Sequence, residues 1–320
     1  MEYYFLINPV AGRSDVSTDL IPLIEAETHN KGIPAQQVHI TVTEYRGHAM
    51  ELARKAAAGG APVRIYAVGG DGTFNEALCG AMGCWNAAVG CLPYGSGNDF
   101  LRSFGQREEF LDLPNQLAGG PKKIDMIRTQ RGYAASICSA GMDARVAYGI
   151  PAFRRLPFCG GEMAYKLSLL QQLVGKRDQE LCFTIDGRQF EEDCLMVAVC
   201  NGHSYGGGFL AAPEALLDDG ILDVLVVRNL PLHRILRVVP LYKEGKHFSD
   251  GQILPELQNI IRYYPAHSVE IRPKNPDETM IVNVDGECGP DKRLSAEIEP
   301  LAAQILLPAS VLARTAAVKK

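Results

Sequence analysis

The feature that most constrains this chain is an apolar, β-branched run that ends in glycines and opens into a helix. Val63-Arg64-Ile65-Tyr66-Ala67-Val68 reads as a buried strand. Gly69-Gly70-Asp71-Gly72-Thr73-Phe74-Asn75-Glu76 follows it, and a helical stretch begins near Glu76-Ala77-Leu78. At such a junction backbone N–H groups can converge on an anion, and the helix N-terminus adds partial positive charge. Asp71 would repel a bare phosphate, so a divalent cation or an ordered water is expected between them. A bare tight turn is the competing reading of the same glycines.

The surrounding residues repeat the strand-then-helix theme. Tyr3–Ile7 reads as a strand, Thr18–Lys31 as a helix, Gln37–Val42 as a strand, Gly47–Ala58 as a helix, and Ala87–Leu92 as a fourth strand. Alternation of this kind predicts parallel strands with crossover helices, whose ligands gather at the carboxyl ends of the strands. From about Lys123 the pattern changes to short strands, with Asp186-Gly187 as a hairpin turn and helical inserts near Gly161–Val174 and Leu232–Lys243. The expected organisation is an α/β domain over residues 1–123 and an antiparallel β domain over 124–307. Gly119-Gly120-Pro121-Lys122-Lys123 reads as a linker, and residues 308–320 are expected to pack back onto the first domain.

Composition removes several classes. A net charge of −5 argues against a general nucleic-acid binder. The first residues have no basic region and too short an apolar run for a secretory signal. The charge-free stretches 77–97 and 194–213 are broken by Gly, Pro and Asn, so neither reads as a membrane span. The nine cysteines include no C-x-x-C pair, which fits reduced thiols in a cytoplasmic protein better than a zinc site or a catalytic Cys. The seven histidines show no metal-ligand spacing. Neither a G-x-x-x-x-G-K-[ST] loop nor a G-x-S-x-G elbow occurs.

Four further constellations carry chemistry. Asn8-Pro9-Val10-Ala11-Gly12-Arg13 ends the first strand as a turn or as a phosphate or ribose contact, with Arg13 supplying charge. Gly95-Ser96-Gly97-Asn98-Asp99-Phe100 ends the fourth strand, as a capped helix start or as a second loop. Asp71 and Asp99 would then lie at adjacent strand ends, able to hold Mg2+ or its waters. Gly206-Gly207-Gly208, Pro213 and Leu216-Leu217-Asp218-Asp219-Gly220-Ile221 offer carbonyls and a carboxylate to a hard cation, or a plain turn. Asn283-Val284-Asp285-Gly286-Glu287 places two carboxylates after a strand, as a hairpin or as a proton acceptor in phosphoryl transfer.

Together these motifs, in this order, resemble the diacylglycerol kinase catalytic-domain family, and within it the soluble bacterial lipid kinases. The resemblance spans nearly the whole chain. Gly-Gly-Asp-Gly-Thr is shared with NAD kinases; Gly97-Asn98-Asp99-Phe100 and the late Asp285-Gly286-Glu287 point to the lipid branch. It implies an NAD-kinase-like three-layer α/β domain followed by a β-sandwich. The implied ATP site is Asn8, Pro9 and Gly12, Thr43, Gly69, Gly70, Asp71, Gly72, Thr73, Asn75 and Glu76, and Ser96, where the family usually has Thr. The implied Mg2+ site is the Asp219 side chain with the carbonyls of Leu216 and Ile221, joined through water to Asp71 and Asp99. Asp285 is expected as the base with Glu287 orienting it, or the reverse. The implied reaction moves the γ-phosphoryl group of ATP to a lipid hydroxyl, diacylglycerol first among the acceptors.

A bilayer substrate without a membrane span implies peripheral docking. The basic, partly apolar segments 153–158 with Lys166, Lys176 and Arg177, and Arg228–His247, are the candidates. The resemblance also makes a homodimer plausible. Competing readings are an NAD kinase-like small-molecule kinase, a kinase for phosphatidylglycerol or a sphingoid lipid, and a nucleotide sensor without turnover.

Overall fold

In the first third of the chain each strand is followed by helix, and strands joined by such crossovers pair in parallel. The computed structural model describes residues 1–12, 15–95, 97–156, 159, 161–175 and 179–318. It gives β1 (Glu2–Ile7), α1 (Ser17–Asn30), β2 (Val38–Val42), α2 (His48–Ala57), β3 (Val63–Gly69), α3 (Asp71–Ala81) and β4 (Ala87–Pro93). The strands pair in the order β2-β1-β3-β4, all parallel. Phe5, Ile7, Tyr66, Val68 and Leu92 pack with Leu20 and Ile24 of α1. The alternate residues Leu6, Ile65, Ala67, Val89 and Cys91 are also buried, so the sheet is covered on both faces. α2 and α3 press together so closely that a Cβ on Gly80 would overlap the Met50 carbonyl.

Two short helices, α4 (Arg107–Leu111) and α5 (Leu113–Ala118), lead into β5 (Gly120–Thr129). The stretch expected to be a linker is therefore the start of a strand. Gly119 is there for contact: a Cβ would overlap the Leu307 carbonyl oxygen. The Arg64 guanidinium secures the segment, donating to the carbonyls of Leu117 (2.9 Å) and Gly119 (3.0 Å).

The second part begins with β6 (Gly132–Ala134), β7 (Ile137–Gly141), α6 (Met142–Arg154), α7 (Gly161–Val174), β8 (Gln179–Ile185) and β9 (Arg188–Cys200). Two small hairpins follow, β10 (Ser204–Tyr205) with β11 (Phe209–Leu210) and, after β12 (Leu222–Arg228) and α8 (Leu232–Lys243), β13 (Phe248–Ser249) with β14 (Gln252–Ile253). The chain then forms β15 (Ile261–Ala266), β16 (Ser268–Pro273), β17 (Met280–Val284), β18 (Glu287–Asp291), β19 (Leu294–Leu307) and α9 (Ala309–Val318).

Pairing among these later strands is antiparallel. The first half of β9 pairs with β8, and its second half lies between β7 and β12. Alternate residues of β9 and β12 feed two cores. Val197, Val199, Val224 and Val226 join Phe183, Ile271 and Val282, while Ala198 and Leu225 join Ile235, Val238 and Tyr242 of α8. β6 and β7 are separated by Ala135-Ser136, for a reason given below.

The compact units are Met1–Asp125 with Pro300–Lys320, and Met126–Glu299. The chain returns to the first unit at Pro300, within β19, ahead of the expected tail at 308. There Ile305 pairs in parallel with Val89, and Arg314 binds Glu109 at 3.0 Å.

α6 buries a carboxyl group. Among the described residues no donor meets either oxygen of Asp143 with hydrogen-bond geometry. Burial lifts its pKa to about 6, against smaller opposing effects from Ser139, Ala144 and Tyr205. The neutral form is thus favoured in the fold. Between pH 4 and 6 the folded state holds more proton than the unfolded chain, so this group lowers stability as pH rises through that window. Asp143→Asn should therefore be the more stable protein at pH 7.5, by about 2–3 kcal/mol, with the gap closing near pH 4. Denaturant unfolding at the two pH values checks this; an equal gap at both would show that Asp143 does not titrate as described.

Candidate active site

A peptide-on-peptide contact builds the site in the first unit. β3 and β4 are parallel neighbours, so the loops at their carboxyl ends meet. Gly95 donates its N–H to the Gly69 carbonyl at 2.9 Å, and Asp71 donates to the Gly97 carbonyl at 3.1 Å. A Cβ on Gly95 would overlap the backbone of Gly70.

α3 opens at Asp71, five residues before the expected start near Glu76, which puts Asp71, Gly72 and Thr73 in its first turn. The Asp71 carboxylate accepts from the Asp99 N–H (2.9 Å) and, more weakly, the Phe100 N–H (3.4 Å). Burial raises its pKa against these amides, with the Asp99 charge adding to the rise. The acid in the glycine loop thus has backbone donors as partners. Asp99 in turn receives Arg102 at 3.1 Å.

The rest of the expected nucleotide residues gather around this turn. Asn8 donates to the Thr73 hydroxyl at 2.9 Å and accepts from the Val10 N–H. Thr43 donates to the Ile7 carbonyl through its N–H (2.8 Å) and its hydroxyl (3.3 Å). Glu76 accepts the Gly47 N–H at 2.9 Å and so ties α3 to the start of α2. Asn75 stands beside Cys79, whose thiol points to the Asn75 side-chain oxygen Oδ1 at 3.7 Å. Gly12 has φ of +87°, and a Cβ there would approach the Tyr94 carbonyl to 2.7 Å. Arg13 and Ser96 lie outside the described residues.

A pocket of about 290 Å³ is lined by Asn8, Pro9, Thr43, Gly72, Thr73 and Glu76. Val10, within the expected Asn8–Gly12 stretch, lines it too, while sequence reasoning missed Glu44, Tyr45, Arg46 and Ala49. Their one signal was position, since the Thr43–Arg46 segment follows another parallel strand end. Among the described residues no acceptor meets the Gly72 and Thr73 amides at the α3 N-terminus, where anions are stabilised.

The expected metal and base residues lie in the second unit. In the 216–221 loop the Asp219 carboxylate accepts the Ile221 N–H at 3.0 Å, folding the chain around it. Asp223 shows how negative this loop is: burial first, then the Asp219 charge, lift its pKa to about 6. Among the described residues no three His, Cys, Asp or Glu side chains are placed to hold a metal. A cation here would rest on one carboxylate, carbonyls and water, a donor set that fits Mg2+.

Asp285 closes the hairpin between β17 and β18 at φ of +44°. Its carboxylate accepts from Ala135 (2.6 Å), Ser136 (3.2 Å) and Ile137 (2.8 Å), which is why the strand breaks there. Asp186 does the same in the hairpin between β8 and β9. It also has φ of +44°, and it accepts from His267 and Ser268. Both of these Asp-Gly turns therefore brace a neighbouring strand. The two turns differ at the next position, which is Arg188 in one and an exposed Glu287 in the other.

The cysteines are all free. Burial pushes the thiols of Cys91, Cys138 and Cys200 well up and that of Cys288 to about 12, which leaves them unreactive.

Comparison with known proteins adds the family. Residues 136–307 match the YegS C-terminal NAD kinase beta sandwich-like domain, and residues 2–129 match the diacylglycerol kinase catalytic domain. The chain belongs to this family of lipid kinases. The kinase is 28% identical over 287 residues to the diacylglycerol kinase of Bacillus subtilis (strain 168), covering 89% of each chain. It is 29% identical over 251 residues to a Shewanella frigidimarina protein named "Probable lipid kinase YegS-like", covering 77% of this chain and 76% of that one. The crystal structure of a diacylglycerol kinase from Bacillus anthracis str. Sterne shares the fold. Its TM-score is 0.67 at 19% identity, over 97% of this chain and 98% of that one. As a kinase of this family it takes ATP as phosphoryl donor.

The loop contact yields a paired test. Gly95→Ala should cost about 2 kcal/mol or more and weaken ATP binding, because the methyl group meets backbone. Gly72→Ala meets nothing within 4 Å and should match or exceed wild-type stability by up to about 1 kcal/mol. Denaturant titration of both variants separates glycine needed for packing from glycine that is not.

Proposed function

We propose that this kinase transfers the γ-phosphoryl group of ATP to a hydroxyl of diacylglycerol, giving phosphatidic acid. The observation that carries the donor half is a pocket lined by Gly72 and Thr73, whose amides open a helix and meet no acceptor among the described residues. Diacylglycerol is taken from the named relatives, several of which are diacylglycerol kinases.

The residues divide the work as follows. Phosphate oxygens bind the amides of the first α3 turn, whose place is fixed by the Gly70–Gly95 contact and the Asn8–Thr73 bond. Asp219, with the carbonyls of Leu216 and Ile221, would hold Mg2+, which would supply positive charge for phosphoryl transfer. Asp285 fixes the turn and Glu287 accepts the hydroxyl proton. This reverses the expected order, because the oxygens of Asp285 are engaged by backbone N–H groups while Glu287 is exposed.

Label from γ-labelled ATP should appear in diacylglycerol presented in mixed micelles. Glu287→Gln should lose about 10²–10⁴-fold in kcat and keep wild-type stability and ATP affinity. Asp285→Asn should lower stability by about 1–3 kcal/mol, and Asp219→Ala should raise the Mg2+ concentration needed for half-maximal rate. Label in NAD alone would overturn the lipid reading. Normal turnover in Glu287→Gln would return the proton to another group.

Contact with the bilayer is peripheral in this proposal. Among the described residues no helix is long and apolar enough to cross a membrane. Met163, Leu170 and Val174 form an exposed apolar stripe on α7 with Lys166, and Arg154, Arg155 and Leu156 are exposed at the end of α6. Basic groups beside exposed apolar ones suit an anionic lipid surface. α8 offers a second such face, with Leu236 and Leu241 exposed beside Arg234 and Arg237. Pro157, Phe158, Lys176 and Arg177 lie outside the described residues. Arg154→Glu with Arg155→Glu should reduce pelleting with phosphatidylglycerol vesicles severalfold and leave binding to neutral vesicles unchanged; equal pelleting of the variant would exclude this surface.

A further inference from the structure

The pocket has an aromatic wall that the phosphate chemistry does not use. Tyr45 lines it opposite in kind to the polar floor of Gly72 and Thr73. One face of the Tyr45 ring is stacked on His48, with centroids 4.5 Å apart and planes 8° from parallel. Its hydroxyl donates to Glu51 at 2.9 Å, which stops the ring from swinging. The His48 ring is itself held by the Glu44 N–H at 3.1 Å. Yet Tyr45 is 53% exposed, so the ring is fixed without being buried.

A large aromatic side chain held rigid at a pocket wall with one face open is what a stacking ligand requires. The order of the ring is already met by His48 and Glu51, so little freedom is lost when a second ring arrives. The ring is also in register with the anion-binding turn. Gly47, between Tyr45 and His48, gives its N–H to Glu76 of α3, the same helix that offers the Gly72 and Thr73 amides. The same pocket thus offers a ring suited to a planar heterocycle and amides suited to phosphate.

We propose that Tyr45 is the nucleobase platform of the phosphoryl donor: the base stacks on the ring face opposite His48 while the phosphates reach the Gly72 and Thr73 amides. The inference rests on the nucleotide reading of this pocket, and goes beyond it in naming the side chain that distinguishes a nucleotide from a bare polyphosphate. Stacking tolerates any base, since every base has a π-face, and purines cover more of the ring than pyrimidines.

The test is equilibrium binding by calorimetry to the full chain with Mg2+, using ATP and inorganic tripolyphosphate as probes. Tyr45→Ala should weaken ATP about tenfold and leave tripolyphosphate unchanged. Tyr45→Phe and Tyr45→Trp, which keep a ring, should stay within about threefold of wild type for ATP, and thermal unfolding confirms that each variant is folded. Equal losses for both probes, or no loss for ATP, would overturn the platform while leaving the nucleotide site intact. Wild-type protein that binds ATP no tighter than tripolyphosphate would overturn the nucleotide reading and the platform together.

Discussion

The candidate site depends on two peptide units lying against each other with nothing between them. Gly70 and Gly95 meet because β3 and β4 are parallel neighbours that end level. Once they touch, the other contacts follow. Asp71 is placed to take the Asp99 amide, Thr73 is placed under Asn8, and Glu76 reaches the amide of Gly47. A side chain at the contact would open the interval by more than a hydrogen bond can stretch. Rigid backbone here takes over the positioning that a lysine provides in other phosphate loops.

Much of the first unit was legible in the sequence because strands buried on both faces are nearly continuous apolar runs, which mark themselves. β1, β2, β3 and β4 fall within a residue of where the pattern puts them. The start of α3 was not legible, because glycines at Gly69, Gly70 and Gly72 weigh against helix, while here Gly72 sits in the first turn with open space around it. The segment from Gly119 to Lys123 misleads for a related reason. Glycine reads as flexibility, but Gly119 is required by a neighbour, Leu307, that is remote in sequence. α6 was missed because Gly149 and Pro151 interrupt any helical period.

The candidate site was legible as motifs and not as roles. The glycine loops and the Asp-Gly-Glu turn stand out in one dimension, whereas Tyr45 carries no pattern at all. The proposed division of labour between Asp285 and Glu287 draws on a comparison within the fold, since Asp186-Gly187 repeats the turn where no second carboxylate follows. A motif identifies residues by type; the backbone bonds accepted by the Asp285 carboxylate show what it does for the turn.

β19 carries a consequence for how the chain acquires its structure. Its Ile305 completes the parallel sheet beside Val89, so the first unit, although it begins the sequence, lacks a strand until almost the whole chain has been made. The Met126–Glu299 unit is contiguous and has all its residues first. On a ribosome the order of completion is therefore the reverse of the order of reading, with β1 to β4 waiting for a partner strand through the synthesis of the entire second unit. During that interval the open edge of β4 is exposed to wrong pairing, and the final closure is a slow, sequence-distant step of the kind that dominates refolding rates.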